Sequence, residues 1–123
     1  MTRSRILFVD DDVMILKSLR SVLRRDAARW DMLFVAGAEA ALLEIRRSHF
    51  DIVISDMRMP GMNGAALLET IRLECPDMCR IMLSGSADLD DVERARTVAH
   101  ELLSKPCPTN VIRQTIERWL AVP

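Results

Sequence analysis

Ile6-Leu7-Phe8-Val9-Asp10-Asp11-Asp12 decides how this chain folds: an apolar run stops abruptly on three carboxylates. The pattern returns at Ile52-Val53-Ile54-Ser55-Asp56, where a second such run ends on a lone aspartate. Two strands that finish on acidic residues bring those carboxylates to one edge of a sheet. Like charges gathered there repel one another and lose hydration, so the arrangement is kept where a bound cation or a chemical step uses the negative field. A divalent metal is the first candidate.

Outward from these two runs, short β-rich apolar stretches alternate with stretches of helical period. Strands are predicted near residues 5 to 9, 32 to 36, 51 to 55, 79 to 83 and 101 to 103. Between them Ile15-Leu19-Val22-Leu23, Ala38-Ala41-Leu42-Ile45, Gly64-Leu67-Leu68-Ile71 and Ile112-Ile116-Trp119-Leu120 repeat at the spacing that lines one helix face. A further helix, at about 88 to 99, has the weakest stripe, formed by Leu89, Val92, Ala95 and Ala99. Alternation of this kind specifies an α/β domain with a parallel sheet covered on both faces, because parallel neighbours need right-handed crossovers. The expected architecture is a flavodoxin-like (βα)5 three-layer sandwich with strand order 2-1-3-4-5. In that order the winding reverses between the first and third strands, which opens a ligand crevice at their carboxyl ends, where Asp10, Asp11 and Asp56 stand.

The rest of the composition bounds the answer. A chain of 123 residues, 50% hydrophobic, suits one domain over residues 1–123; at this size about two-thirds of the unfolded surface is hidden on folding. The formal net charge is -1 and basic residues form no run, so the electrostatic footprint of a nucleic-acid binder is missing. Cys75, Cys79 and Cys107 are odd in number and lack a spaced histidine cluster, which argues against a disulfide framework or a zinc site and fits a reducing cytoplasm. Apolar runs are too short to span a bilayer or to form a signal-peptide core. Only Lys17 and Lys105 are lysine among 17 basic residues, so each raises the question of why arginine did not serve.

Magnesium takes oxygen ligands, usually one or two carboxylates completed by waters and a phosphate. Asp11 and Asp56 would supply the carboxylates, Asp10 would hold a metal-bound water, and the backbone carbonyl of Arg58 would reach the same ion; Mn2+ is an acceptable substitute for Mg2+. Asp12 is expected to cap the following helix, since one helix start needs one cap. Met59-Pro60-Gly61-Met62-Asn63-Gly64 is a turn-forming stretch that carries the chain over the top of the sheet, with glycine and proline setting special backbone angles. Ser84-Gly85 and Lys105-Pro106 end the fourth and fifth strands and would approach Asp56 from the side opposite the acidic pair. A mobile ammonium is a point charge suited to tracking a phosphoryl group.

From Arg5 to about Leu120 the chain resembles the receiver domain of bacterial two-component response regulators. Val9-Asp10-Asp11 is similar to that family's acidic pair, Asp56 to its phosphorylated aspartate, Ser84 to its Ser or Thr, and Lys105-Pro106 to its Lys-Pro pair, with the stretch Asp56 to Gly64 similar to the loop after the phosphorylation site. The resemblance implies phosphoryl transfer from a histidine kinase or phosphotransfer protein to Asp56, with Mg2+ held by Asp10, Asp11 and Asp56 and assistance from Lys105 and Ser84. It implies a switch of the face formed by helix 4, strand 5 and helix 5, acting on an output domain or effector or through a homodimer. On this reading the chain is no enzyme beyond catalysing its own phosphorylation and dephosphorylation, and the Lys105-Pro106 peptide is cis.

Departures gather around strand 5. Leu102 stands where receivers commonly carry Tyr or Phe, Cys107 replaces the usual Phe after Lys-Pro, and Ala99-His100 replaces a frequent Gly-Ala pair, so relay by a rotating aromatic is not expected. His49 and His100 are read as surface or half-buried residues, and the methionines as core filler, apart from Met57, Met59 and Met62 in an exposed loop. Other readings stay open at this stage. A receiver that works only by binding a partner needs no phosphorylation. A haloacid dehalogenase-type phosphatase fits Asp10 and Asp12 but is broken by Met14. A flavodoxin-like electron carrier would need a hydroxyl-rich phosphate loop where the acidic triplet stands.

Overall fold

Along β1 (Ser4–Asp10) side chains alternate between two faces, and both are apolar: Leu7 and Val9 belong to one buried cluster, Ile6 and Phe8 to another. Such a strand has to lie inside a sheet covered on both sides. The computed structural model, which describes residues 3–85 and 88–122, places it there. β2 (Trp30–Ala36), β1, β3 (Ile52–Asp56), β4 (Cys79–Ser84) and β5 (Glu101–Ser104) form one parallel sheet in the order β2-β1-β3-β4-β5, as expected. The expected domain limits at residues 1 and 123 lie outside the described residues.

Five helices cover the sheet: α1 (Val13–Val22), α2 (Ala38–Arg47), α3 (Gly64–Glu74), α4 (Leu89–Val98) and α5 (Thr109–Leu120). α2, α3 and α4 pack on Leu7, Val9, Val53 and Met82, whereas α1 and α5 pack on Ile6, Phe8, Ile54 and Ile81. Register then fixes the site: Ile6 pairs with Ile52 and Val9 with Ser55, so Asp10 and Asp56 emerge side by side at one edge.

Three expectations about side-chain placement are corrected. In α1 the inward stripe is Leu16, Leu19 and Leu23; Ile15 and Val22 are exposed. Apolar residues surround this helix almost completely, and only the sheet selects which stripe is buried. Met57 and Met59 belong to the core because the chain turns back over the sheet after β3, with the Met57 N–H donating to the Leu83 carbonyl at 3.1 Å and the Gly64 N–H to the Met57 carbonyl at 2.8 Å. Met62 is exposed as expected, and so is Met14, against its reading as core filler. In α4 only Ala95 and Val98 are buried; Leu89 is 77% exposed and Ala99 lies past the last turn.

A feature with no sequence motif is the 3-10 turn Arg24–Ala28, which buries Asp26. The Asp26 carboxylate accepts from Arg29 at 2.9 and 3.1 Å and from Arg113 of α5 at 2.9 Å, and Arg29 continues to Glu117 at 2.7 Å. Burial pushes the Asp26 carboxyl up, but the hydrogen bonds and charges of the two arginines outweigh it and hold the group below the usual carboxylate range. A depressed folded value contributes stability above the unfolded value of 3.8 that is lost as pH falls through the folded one. Asp26→Ala is therefore expected to cost about 3 kcal/mol at neutral pH. In urea unfolding followed from pH 7 downward, the gap between wild type and variant should close below pH 3.8.

Candidate acidic site at the carboxyl edge of the sheet

The acidic triplet divides as it leaves β1. Asp12 turns away to cap α1, its carboxylate accepting from the Met14 N–H at 2.9 Å, as expected of it. Asp10 stays under the sheet edge, buried, and takes the Asp12 N–H at 2.9 Å; Asp11 faces solvent. Asp10, Asp11 and the buried Asp56 each offer a carboxylate oxygen, and the three oxygens lie within 4.8 Å of one another. Three hard oxygen donors on a half-open edge suit a small hard dication.

From the other side comes the ammonium of Lys105, 2.7 Å from Asp56 Oδ1 and 3.8 Å from Asp10 Oδ2. Its backbone N–H donates to the Ser84 carbonyl at 2.9 Å, which ties the loops after β4 and β5 together, and the Lys105-Pro106 peptide is cis. Ser84 is buried at the end of β4, one residue past Leu83, the register partner of Asp56. Arg58 lines a cavity of about 470 Å³ together with Asp11, Met57 and Asn63. Asp10, Asp11, Asp56, Arg58, Ser84 and Lys105 thus stand at this one edge. His49 and His100 do not: His49 pairs with Asp51 just before β3, and His100 accepts the Arg80 N–H just before β5, both at the opposite end of the sheet. Burial pushes the Cys79 thiol up to about 12 and raises that of Cys107 as well, which suits neither to act as a nucleophile.

Crowding of charge is visible in Asp10. Burial raises its carboxyl above the usual range, the neighbouring Asp56 and Asp11 add to this, and the Asp12 N–H and Lys105 oppose it without prevailing. A raised folded value stabilises the fold at low pH, and that contribution is lost as pH rises through it, so at neutral pH the Asp10 charge is a cost. Asp10→Asn, measured by urea unfolding in chelator at pH 7, should therefore stabilise the fold by on the order of 1 kcal/mol. Added Mg2+ should stabilise the variant less than the wild type.

Residues 6–117 match the family model of the response regulator receiver domain. The chain belongs to that family. Among its relatives, the receiver is 39% identical to the rice two-component response regulator ORR22 over 110 residues, 89% of this chain and 16% of that one. It is 31% identical to the Rhizobium meliloti C4-dicarboxylate transport transcriptional regulatory protein DctD, over 92% of this chain and 24% of that one. The receiver thus spans between a sixth and a quarter of the length of these relatives. Among solved structures it superposes on the signal receiver domain of an HD domain-containing protein from Pseudomonas fluorescens with a TM-score of 0.89 at 30% identity, covering 98% and 88% of the two chains. A CheY-like receiver domain protein from Methanospirillum hungatei gives a TM-score of 0.90 at 29% identity, covering 97% and 94%.

Two features of this receiver's site had no signal in its sequence. Gly61 adopts a φ of 76°, the special backbone angle expected of the turn, but Gly64 is required for a different reason: a Cβ on it would overlap the Asp56 carbonyl oxygen. Arg58 sends its guanidinium to Asp91 of α4, 3.3 Å away. The first depends on how the loop after β3 folds back and the second joins residues 33 apart in the chain, so spacing along the sequence could not reveal them.

Proposed function

We propose that this receiver accepts a phosphoryl group on Asp56 from the phosphohistidine of a histidine kinase or a phosphotransfer protein, in a Mg2+-dependent reaction, and that hydrolysis resets it. The observation that carries this reading is the 2.7 Å contact between Lys105 and an aspartate standing within a three-carboxylate cluster. An Asp56 carboxylate oxygen attacks phosphorus, the P–N bond breaks, and the departing imidazole nitrogen keeps the bonding pair. Asp10, Asp11, Asp56 and the Arg58 carbonyl would hold Mg2+, which when bound offsets the repulsion between carboxylate and phosphoryl group. Lys105 follows the transferred oxygens, and the Ser84 hydroxyl with the Gly85 amide bonds them once the transfer is complete. The loop after β4 is drawn inward, which biases the face formed by α4, β5 and α5 towards an output domain or effector, or a second copy.

Val13, Met14 and Ile15 lie exposed at the start of α1, beside the acidic cluster, and offer an apolar landing for the donor protein. The place of action is the cytoplasm, where histidine kinases present their phosphohistidine; no described helix is long and apolar enough to cross a membrane. The chemistry is confined to the receiver's own carboxylate, so it is no enzyme in the sense of turning over a free substrate. Asp12, turned to its cap, does not join Asp10, which disfavours a phosphatase of the haloacid dehalogenase type.

Acetyl phosphate with Mg2+ should give one labile phosphoryl adduct by intact mass, and acetyl phosphate with chelator should give none; equal labelling in both would sink the proposal. Lys105→Ala should slow adduct formation by roughly a hundredfold to a thousandfold, the scale for removing one charge-stabilising donor. Its affinity for Mg2+, read by calorimetry, should persist.

A further inference from the structure

We propose that the cavity between α1 and the edge strand β2 is a binding site for a nucleoside di- or triphosphate: Arg3, Arg20 and Arg24 take the phosphates, the nucleoside lies on the apolar floor between them, and Asp31 accepts from its base or ribose. The inference is independent of Asp56 being the acceptor. α1 starts beside the acidic cluster and runs back along the sheet, so Arg20 in its last turn lies away from Asp10 and Asp11. β2 and β5 are opposite edges of the sheet, so this site and the face of α4, β5 and α5 are separate.

Arg3, Arg20 and Arg24 come to one cavity of about 340 Å³ from the stretch before β1, from α1 and from the 3-10 turn, and that volume is within the range of small-molecule sites. In a chain of net charge -1, none of the three has a carboxylate partner among the described residues. Two are nevertheless held in place: Arg3 donates to the Ala27 carbonyl at 2.5 Å, and the Arg20 guanidinium lies over the Phe34 ring, 5.4 Å from its centroid. Such contacts position a guanidinium without cancelling its charge. Arg29 serves the wall instead, neutralised by Asp26 and Glu117 and seated 4.0 Å over the ring of Trp30, which lines the same cavity.

Three guanidiniums around one opening call for several negative charges on a single molecule, and their planar forks match phosphate oxygens two at a time. A bare polyphosphate leaves the floor unexplained. Met32 and Phe34 are only half-buried, and with Ala27 they offer the apolar surface that a flat ring covers. Asp31 is unexplained by a polyphosphate as well. Its Oδ2 accepts from Arg5 at 3.1 Å, while its Oδ1 has no hydrogen-bond partner among the described residues. A carboxylate oxygen repels phosphate and accepts from amino and hydroxyl groups, which bases and ribose carry. Phosphates, a flat apolar body and N–H or O–H donors together describe a nucleotide.

Calorimetric titration with ATP and with GTP, in chelator so that no Mg2+ bridges their phosphates to the acidic cluster, tests the site. At least one of the two should bind at a single site, with tripolyphosphate and the matching nucleoside each weaker by at least about tenfold. Arg20→Gln and Arg24→Gln should each weaken the nucleotide by about tenfold, the scale of one hydrogen bond between charged partners, and both side chains are exposed, so the fold survives. Arg47→Gln, an exposed arginine of α2 on the other face of the sheet, should leave the affinity unchanged. Asp31→Ala should narrow the gap between nucleotide and tripolyphosphate, because the acceptor and its repulsion are lost together. The site is overturned if neither nucleotide binds, if tripolyphosphate binds as tightly, if Arg47→Gln weakens binding as much as Arg20→Gln, or if the gap persists in Asp31→Ala. None of these outcomes bears on Asp56, since no phosphoryl uptake is read.

Discussion

Asp56→Asn is expected to abolish adduct formation completely, with no minor adduct on Asp10, Asp11 or Ser84. Among the described residues the carboxylate lost is the only one that combines the 2.7 Å contact to Lys105 with a place on the central strand flanked by both sides of the site. The amide that replaces it has neither the charge to attack phosphorus nor the anionic oxygen that completes the carboxylate trio. Mg2+ at ten times its Kd should stabilise the wild type by about 1.4 kcal/mol, and the variant by much less at the same concentration. Folding itself should survive, because removing one of three crowded charges relieves Asp10 even as Lys105 loses its short partner. Intact mass after acetyl phosphate treatment and thermal melts with and without Mg2+ check both halves. A phosphoryl adduct that persists on the variant would mean that the carboxylates assemble for another purpose.

Gly64→Ala is expected to damage fold and site together. α3 starts at Gly64, and its first residue presses on the backbone of the acceptor: an added Cβ would meet the Asp56 carbonyl oxygen and approach the Asp56 carbonyl carbon and Met57 Cα to 3.0 Å each. These are backbone atoms, so no rotamer change relieves the overlap and α3 and the end of β3 must separate. A cost of about 3 kcal/mol follows, with a fall in Tm of about 10 °C. Uptake of the phosphoryl group should drop by on the order of a hundredfold, the scale of a displacement of about 1 Å at a reacting group.

Two other glycines give the comparison its meaning. Gly61→Ala meets no atom but carries a φ of 76°, so it should cost about 1 kcal/mol through backbone strain alone. Gly85→Ala would place a methyl group 3.7 Å from the Lys105 Cβ, an ordinary contact, and should be nearly neutral for stability. Should Gly64→Ala melt like Gly85→Ala, the close approach would not be the reason for the glycine.

What was legible in the sequence came from periodicity and from residues whose chemistry is costly to keep. The runs ending on Asp10 and Asp56 place two strands and their edge, and the alternation with helical stretches leaves one economical sheet order. Lys105 was legible because lysine is rare in an arginine-rich chain, and Asp12 because one cap suffices for α1. The errors share a cause. Periodicity puts Ile15 and Val22 inside, and turn composition puts Met57 and Met59 outside, because hydrophobicity alone does not say which side of a helix or loop meets the sheet. Asp26 belongs to no sequence motif, because its partner Arg113 is brought to it by the fold across 87 residues of sequence.

By itself, then, the sequence determined the sheet, its order and the set of side chains at its carboxyl edge, because strand pattern and strand-end chemistry are local properties. Only the tertiary structure decided that Gly64 stands against the Asp56 backbone, that Arg58 reaches Asp91, and that α4 is anchored at one end by Arg72 and Arg80. The arginine contacts depend on packing between segments 18 to 33 residues apart and the Gly64 approach on how the loop after β3 folds back, and no periodicity along the backbone encodes which groups then meet.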